Sequence, residues 1–186
     1  MSLLKKITQG YLFFFTTLFV LSSCQNDTKE IDEVTKKEAL FPTEHGKMVE
    51  ILYTDSGLVK VRLTAPVMNH YTYNVKEHYT EMPKGLFIEF FNERSEIKTM
   101  LKANYGIRYE DTKKTEVKYK VQVTNVNGEI LNTEQLFWDE ATRKIYTKEF
   151  VKITTKKEVL TGNGLEANED FTEWEIQNIT GTHTAE

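Results

Sequence analysis

Val117-Lys118-Tyr119-Lys120-Val121-Gln122-Val123 alternates side chains so that valines fall on one side and lysines and glutamine on the other. Successive side chains of an extended chain point to opposite faces, so this stretch reads as a strand with one dry and one wet face. Half-buried strands of this kind belong to antiparallel sheets, because strands of a parallel sheet are covered on both faces. The same period of two continues outward. Val59, Val61, Leu63 and Ala65 alternate with Lys60, Arg62 and Thr64, and Ile97, Thr99, Leu101 and Ala103 alternate with Lys98, Met100 and Lys102. Helical periodicity is almost absent from Lys47 onward. Turn signals divide the runs at Asp55-Ser56-Gly57, Asn92 to Ser95, Asp111 to Lys114, Asn127-Gly128, Asp139 to Lys144 and Asn168 to Asp170. Asn127-Gly128 is the strongest, since both central positions of a type I′ turn need positive φ. The chain is predicted to be all-β, with roughly ten strands in successive antiparallel hairpins.

Some runs resemble one another. Gly57 to Ala65 matches Ser95 to Ala103 as small residue, apolar residue, lysine, then leucine–x–alanine. Glu129-Ile130-Leu131 and Glu158-Val159-Leu160 open two further units 29 residues apart, with Leu136 and Leu165 in register. Repetition of a strand pair is one way a β-stack grows.

The first residues carry a different signal. Lys5 and Lys6 precede an apolar run, Tyr11 to Leu21, broken by Thr16 and Thr17, and then Ser22-Ser23-Cys24. Charge, apolar run and small residues in that order read as a secretory signal peptide over residues 1–23, the run falling short of the ~20 residues a membrane helix needs. Cys24, the only cysteine, stands where a lipobox places the residue that becomes acylated. The alternative is an ordinary signal peptide with an incidental cysteine. Acylation anchors strongly, at ~0.8 kcal/mol per buried methylene. Residues 24–46 are expected as lipidated N-terminus and tether. Gln25 to Gly46 holds nine charged residues and one proline, with a weak amphipathic helix near Ile31 and Val34 as the other reading. Disordered, the tether would span ~25 Å and stretch to ~75 Å. The β-domain is expected over 47–181 and a tail over 182–186.

Removal of residues 1–23 leaves 22 basic against 28 acidic residues, a net charge of −6. A mildly acidic, mixed surface disfavours nucleic acid and electrostatic adhesion to an anionic bilayer. No catalytic or metal site is expected, and no cofactor. His70 and His78 with Glu77 and Glu81 form the one His/carboxylate grouping, expected in a polar loop with Tyr71, Tyr73 and Tyr79; the spacing fits neither a helix face nor a hairpin pair. His45 is expected in the tether and His183 in the tail. No G-x-S-x-G, P-loop or CxxC occurs.

Four segments resemble a known family. They are Ile51 to Gly57 followed by Val61-Arg62-Leu63-Thr64-Ala65-Pro66 and Tyr71; Pro83 to Phe91 followed by Ile97 to Ala103; Gly128 to Leu136 with Trp138-Asp139 and Ile145-Tyr146-Thr147; and Gly162-Asn163-Gly164-Leu165 followed by Trp174-Glu175-Ile176. In this order they are similar to LptC, the membrane-anchored periplasmic component of lipopolysaccharide export. The resemblance covers about residues 47–181. It implies an OstA-like antiparallel β-jelly roll, an open slab without substantial helix, whose interior accepts lipopolysaccharide acyl chains. It also implies partners: the membrane subunits of an inner-membrane ABC transporter on one edge, and a periplasmic bridge protein of the same fold on the other. The chain differs in its anchor, lipid on Cys24 in place of an N-terminal helix. It would face the periplasm, with the inner membrane as the expected side.

Moving a multi-acyl lipid through water exposes dozens of methylenes at ~0.8 kcal/mol each, so a carrier needs an apolar trough. The candidate trough residues are Phe90, Leu101, Tyr109, Tyr119, Val121, Val123, Leu136, Trp138, Ile145, Val151 and Ile153. Singly, each is more simply read as a side chain of a dry core. Gly162, Gly164, Trp174 and Ile176 are the candidate turn and edge for a partner strand. A competing reading is a structural or adhesive surface lipoprotein that binds protein or glycan. An open apolar channel separates the first reading from the second.

Overall fold

The computed structural model describes residues 40–184. Eleven strands form one antiparallel sheet: β1 (Glu44–Asp55), β2 (Leu58–Tyr71), β3 (Tyr79–Met82), β4 (Leu86–Phe91), β5 (Ile97–Ala103), β6 (Tyr105–Tyr109), β7 (Lys114–Asn125), β8 (Ile130–Asp139), β9 (Lys144–Thr154), β10 (Glu158–Asn168) and β11 (Trp174–Thr184). No helix occurs among the described residues. The predicted all-β fold is what the structure has, an open slab of the jelly-roll kind.

The strand order reduces to a meander. β2 pairs β4 over Val61–Thr64 and β3 over Asn69–Tyr71. β7 pairs β5 through Gln122–Asn125 and β6 through Lys114–Lys118. β3 with β4, and β5 with β6, are therefore two legs of one bent strand, and each long strand lies beside its neighbours in the chain. The bends form a row: Pro66 in β2, Gly85 before β4, Asn104 before β6, Tyr119-Lys120 in β7, and the register shifts near Thr133 in β8 and Asn163 in β10. Tyr119 and Lys120 both have positive φ. Bulges that bend strands in register fold a sheet over itself. The edge-on contact of Phe90 in β4 with Trp138 in β8, 5.8 Å between ring centres, crosses between strands that do not pair.

The internal matches occupy related rungs. Leu63 and Leu101 flank Ile88 from either side. β8 and β10 flank β9 in the same way, and Leu136 and Leu165 are both buried.

Four expectations change. The sheet is longer at both ends, since β1 starts at Glu44 and β11 ends at Thr184. Glu44 and His45 extend the pairing with His70 and Asn69, and this edge escapes a reading by alternation because its side chains are exposed on both faces. His45 and His183 thus lie on strands, and His70 lies on β2. The type I′ turn at Asn127-Gly128 is absent: only Gly128 has positive φ. Instead Asn125 turns the chain, its carbonyl accepting from Gly128 N and its Oδ1 from the amides of Asn127 and Glu129. Two consecutive positive φ values occur at Ser56-Gly57 between β1 and β2. The signal segment, Cys24 and the tether up to residue 39 lie outside the described residues.

Candidate functional site

An open cleft of about 1210 Å³ lies along the N-terminal strands. That exceeds the ~300–1,000 Å³ typical of drug-sized ligand sites. Its apolar wall comes from alternate residues of successive strands: Ile51 and Tyr53 of β1, Val61 and Leu63 of β2, Ile88 and Phe90 of β4, with Trp138 of β8. Period-two alternation puts these on the inner face. The wall stays open because little covers β1 and β2 on this face, and Ile51 and Tyr53 are 45% and 62% exposed.

The rim is charged in both signs, and most of its charges are paired. Lys98 pairs with Asp170, and Arg143 with Glu169. Arg108 donates through Nε and Nη2 to the two carboxylate oxygens of Glu140 at 2.7 and 3.0 Å. These bonds raise the pKa of both arginines. Together they tie the turns after β8 and β10 to β5 and β6. Lys60 and Arg94, also at the cleft, carry no ion pair among the described residues. At another part of the cleft wall, Glu110 approaches His70, with Nε2 3.0 Å from Oε1. That contact lacks hydrogen-bond geometry.

Beyond Phe90 and Trp138 the interior closes. A void of about 10 Å³, scarcely one water molecule, lies among Leu101, Thr115, Val117, Leu136 and Ile145. Further on the core is dry: Val123, Leu131, Val151, Ile153, Leu165 and Phe171 are fully buried. Phe171 sits in the turn before β11 at positive φ, held by Asn125 Nδ2 donating to its carbonyl.

The structure divides the candidate trough residues accordingly. Phe90 and Trp138 line the open cleft. Leu101, Leu136 and Ile145 line the closed void. Val121, Val123, Val151 and Ile153 belong to the dry core. Two are misplaced. Tyr119 is 57% exposed, because the bulge in β7 interrupts the alternation at this residue. Tyr109 lies between Arg108 and Glu110, which line the cleft, so it projects from the opposite face, next to Tyr79. There Tyr71 stacks on Tyr79, and Tyr105 packs against Tyr119 and donates to Glu81 at 2.9 Å. Alternation missed the wall residues Ile51, Val61 and Leu63 as members of the site, although Val61 and Leu63 follow the period of two.

At the other end, β11 has no strand on its outer side among the described residues, and neither does β1. Trp174 and Ile176 face inward: Trp174 Nε1 donates to Glu129 Oε2 at 3.1 Å, and Ile176 is buried. A strand added at this edge would meet the β11 backbone and not those two side chains. Gly162 is close-packed, since a Cβ there would run into Ile176 and Asn178 of β11. Gly164 has φ +81° at the bend of β10. Among the described residues no group of three or more His, Cys, Asp or Glu side chains is placed to hold a metal ion, and no helix is long and apolar enough to cross a membrane.

The domain is a bent-strand β-slab with a cleft open at one end and a free strand at each edge among the described residues. The sequence matches the family model described as lipopolysaccharide-assembly, LptC-related, over residues 11–185, and the chain belongs to that family. Membership gives it a role in lipopolysaccharide transport and places it with the periplasmic, inner-membrane-associated components of that system. No curated protein matches the chain.

Proposed function

We propose that this chain takes lipopolysaccharide from the membrane subunits of an ABC transporter and passes it to a bridge protein of the same fold, while lipid on Cys24 keeps it at the inner membrane. The observation that carries the reading is the open apolar cleft. A soluble domain rarely leaves a wall of Ile51, Tyr53, Val61 and Leu63 uncovered without a ligand or partner for it. Acyl chains fit that wall physically, because each methylene moved out of water gains ~0.8 kcal/mol. The two free edges, β1 and β11, suit strand addition by neighbours of like fold. The cleft also favours a carrier over an adhesive scaffold, whose interior would have no reason to stay open.

The test is photo-crosslinking in the full chain reconstituted in nanodiscs. A benzophenone side chain at Leu63 is expected to capture lipopolysaccharide, and one at Phe150, 54% exposed and absent from the cleft lining, is not. Equal capture at both positions, or none at Leu63, overturns the reading.

A further inference from the structure

Trp138 and Thr115 stand opposite each other on β8 and β7. Both border the open cleft and the closed void beneath it. The Trp138 indole N–H is buried without a hydrogen-bond partner. Thr115 is 5% exposed, and its hydroxyl makes no hydrogen bond among the described residues. The second tryptophan provides the contrast, since the Trp174 N–H is satisfied by Glu129. The Trp138 N–H therefore lies buried and unpaired, and the Thr115 hydroxyl unbonded beside it, where the void between them is otherwise lined by Ile88, Phe90, Leu101, Val117, Leu136 and Ile145.

Buried donors are almost always paired, and an unpaired one is destabilising. Plain hydrocarbon in the cleft would leave this one unpaired. An acylated amphiphile would not, because its chain begins at an ester or amide carbonyl, or carries a hydroxyl, that can accept from the indole and exchange a hydrogen bond with the threonine.

We infer that Trp138 and Thr115 form a polar subsite for the oxygen function at the head of an acyl chain, so that the cleft selects acylated amphiphiles over plain hydrocarbon. This rests on the carrier reading above and specifies which part of the lipid is recognised. Trp138 is on this account a binding residue whose N–H contributes in the complex and costs stability in the free protein.

The probe is lipid A, added to the full chain in nanodiscs with ¹⁵N-labelled indoles. W138F and W174F assign the two indole resonances. Lipid A is expected to move the Trp138 indole proton to lower field and leave that of Trp174 in place. W138F keeps an aromatic ring without the N–H, and it should weaken lipid A binding about fivefold, the size of one hydrogen bond, with a modest loss of stability from the smaller ring beside Phe90. T115V, nearly the same shape, should weaken binding about threefold with stability kept. If lipid A binds but the Trp138 resonance and both variants' affinities are unchanged, the subsite is wrong and the carrier reading stands; the indole then bonds water. If T115V binds as the parent does and the Trp138 indole proton does not move with lipid A, Trp138 is packing alone and the inference falls. If lipid A does not bind at all, the carrier reading falls and takes the subsite with it.

Discussion

Strands β8 to β10 and strands β1 and β2 both turn apolar side chains to the inner face, but these end in opposite states. In the former, Leu131, Val151, Ile153 and Leu165 are completely buried. In the latter, Ile51 and Tyr53 stay half exposed on the inner face, and Leu52 is exposed on the outer one. What differs is cover. The turn before β11 brings Phe171 into the C-terminal end, fixed by Asn125, whereas nothing comparable among the described residues fills the cleft beside β1. Alternation states which face is apolar; the opposing layer decides whether that face is core or binding wall.

The sharpest way to break this contrast is to make the same truncation in both places. Leu131→Ala removes methylenes from the dry core and should cost about 3 kcal/mol, transfer and cavity terms together. Leu63→Ala removes the same atoms from a wall that already faces the cleft, and should cost about 1 kcal/mol or less. Urea unfolding at neutral pH measures both. Equal losses would mean that the cleft is closed in solution.

Asn125→Ala tests the plug. Its side chain donates to Phe171 O at 2.9 Å and to Glu129 Oε2 at 2.7 Å, and accepts from two backbone amides. The loss should be about 2 kcal/mol, since buried groups are left unpaired. Asn92 builds the same turn before β5, accepting from Arg94 N and Glu96 N and donating to Glu96. That turn is exposed, and Asn92→Ala should cost about 1 kcal/mol or less. A reversed ranking would remove the special role of the plug.

Alkali probes the N-terminal half selectively. Burial, and for Tyr105 also its bond to Glu81, pushes the pKa values of Tyr71, Tyr79 and Tyr105 above the ordinary 10. The unfolded chain then loses these protons at lower pH than the folded one. Stability on this account is whole below pH 10 and declines as pH rises beyond it. Urea midpoints should fall between pH 9 and pH 11, and Tyr105→Phe should flatten the fall. A midpoint unchanged over that interval contradicts the buried tyrosine face.

Strand positions and the apolar face were legible in the sequence because period two is a local property. The bends were not. Tyr119 sits in the middle of the cleanest alternating run, and only the two positive φ values there reveal that the strand turns a corner and expels it. Nor was the turn at Asn127-Gly128 read correctly, because the residue that shapes it is Asn125, two positions earlier. The same device recurs at Asn168, whose Oδ1 accepts from Thr172 N and whose carbonyl accepts from Phe171 N. In both turns the residue three positions after the asparagine takes positive φ, and the asparagine itself was the available signal. Which valines end in the dry core and which line the cleft depends on contacts across the slab, such as Phe90 with Trp138, that no local pattern encodes.

The smallest effect expected is at the cleft rim, and it concerns whether the ion pairs there hold the two halves together or merely decorate the boundary. Arg143 is largely exposed where it meets Glu169, so screening by solvent and salt leaves that pair little net energy. Arg108 is different in geometry: both its nitrogens meet both oxygens of Glu140, on side chains about one third and one quarter exposed. Bidentate pairs are the stronger kind. Glu140→Gln should therefore cost about 0.5–1 kcal/mol at low salt, and Glu169→Gln should leave stability unchanged within error. Raising salt from 0.05 M to 0.5 M should erase most of the difference between them. If both variants melt together at low salt, the row does not fasten the C-terminal turns to β6, and the boundary between cleft and dry core rests on Phe90, Trp138 and Phe171 alone.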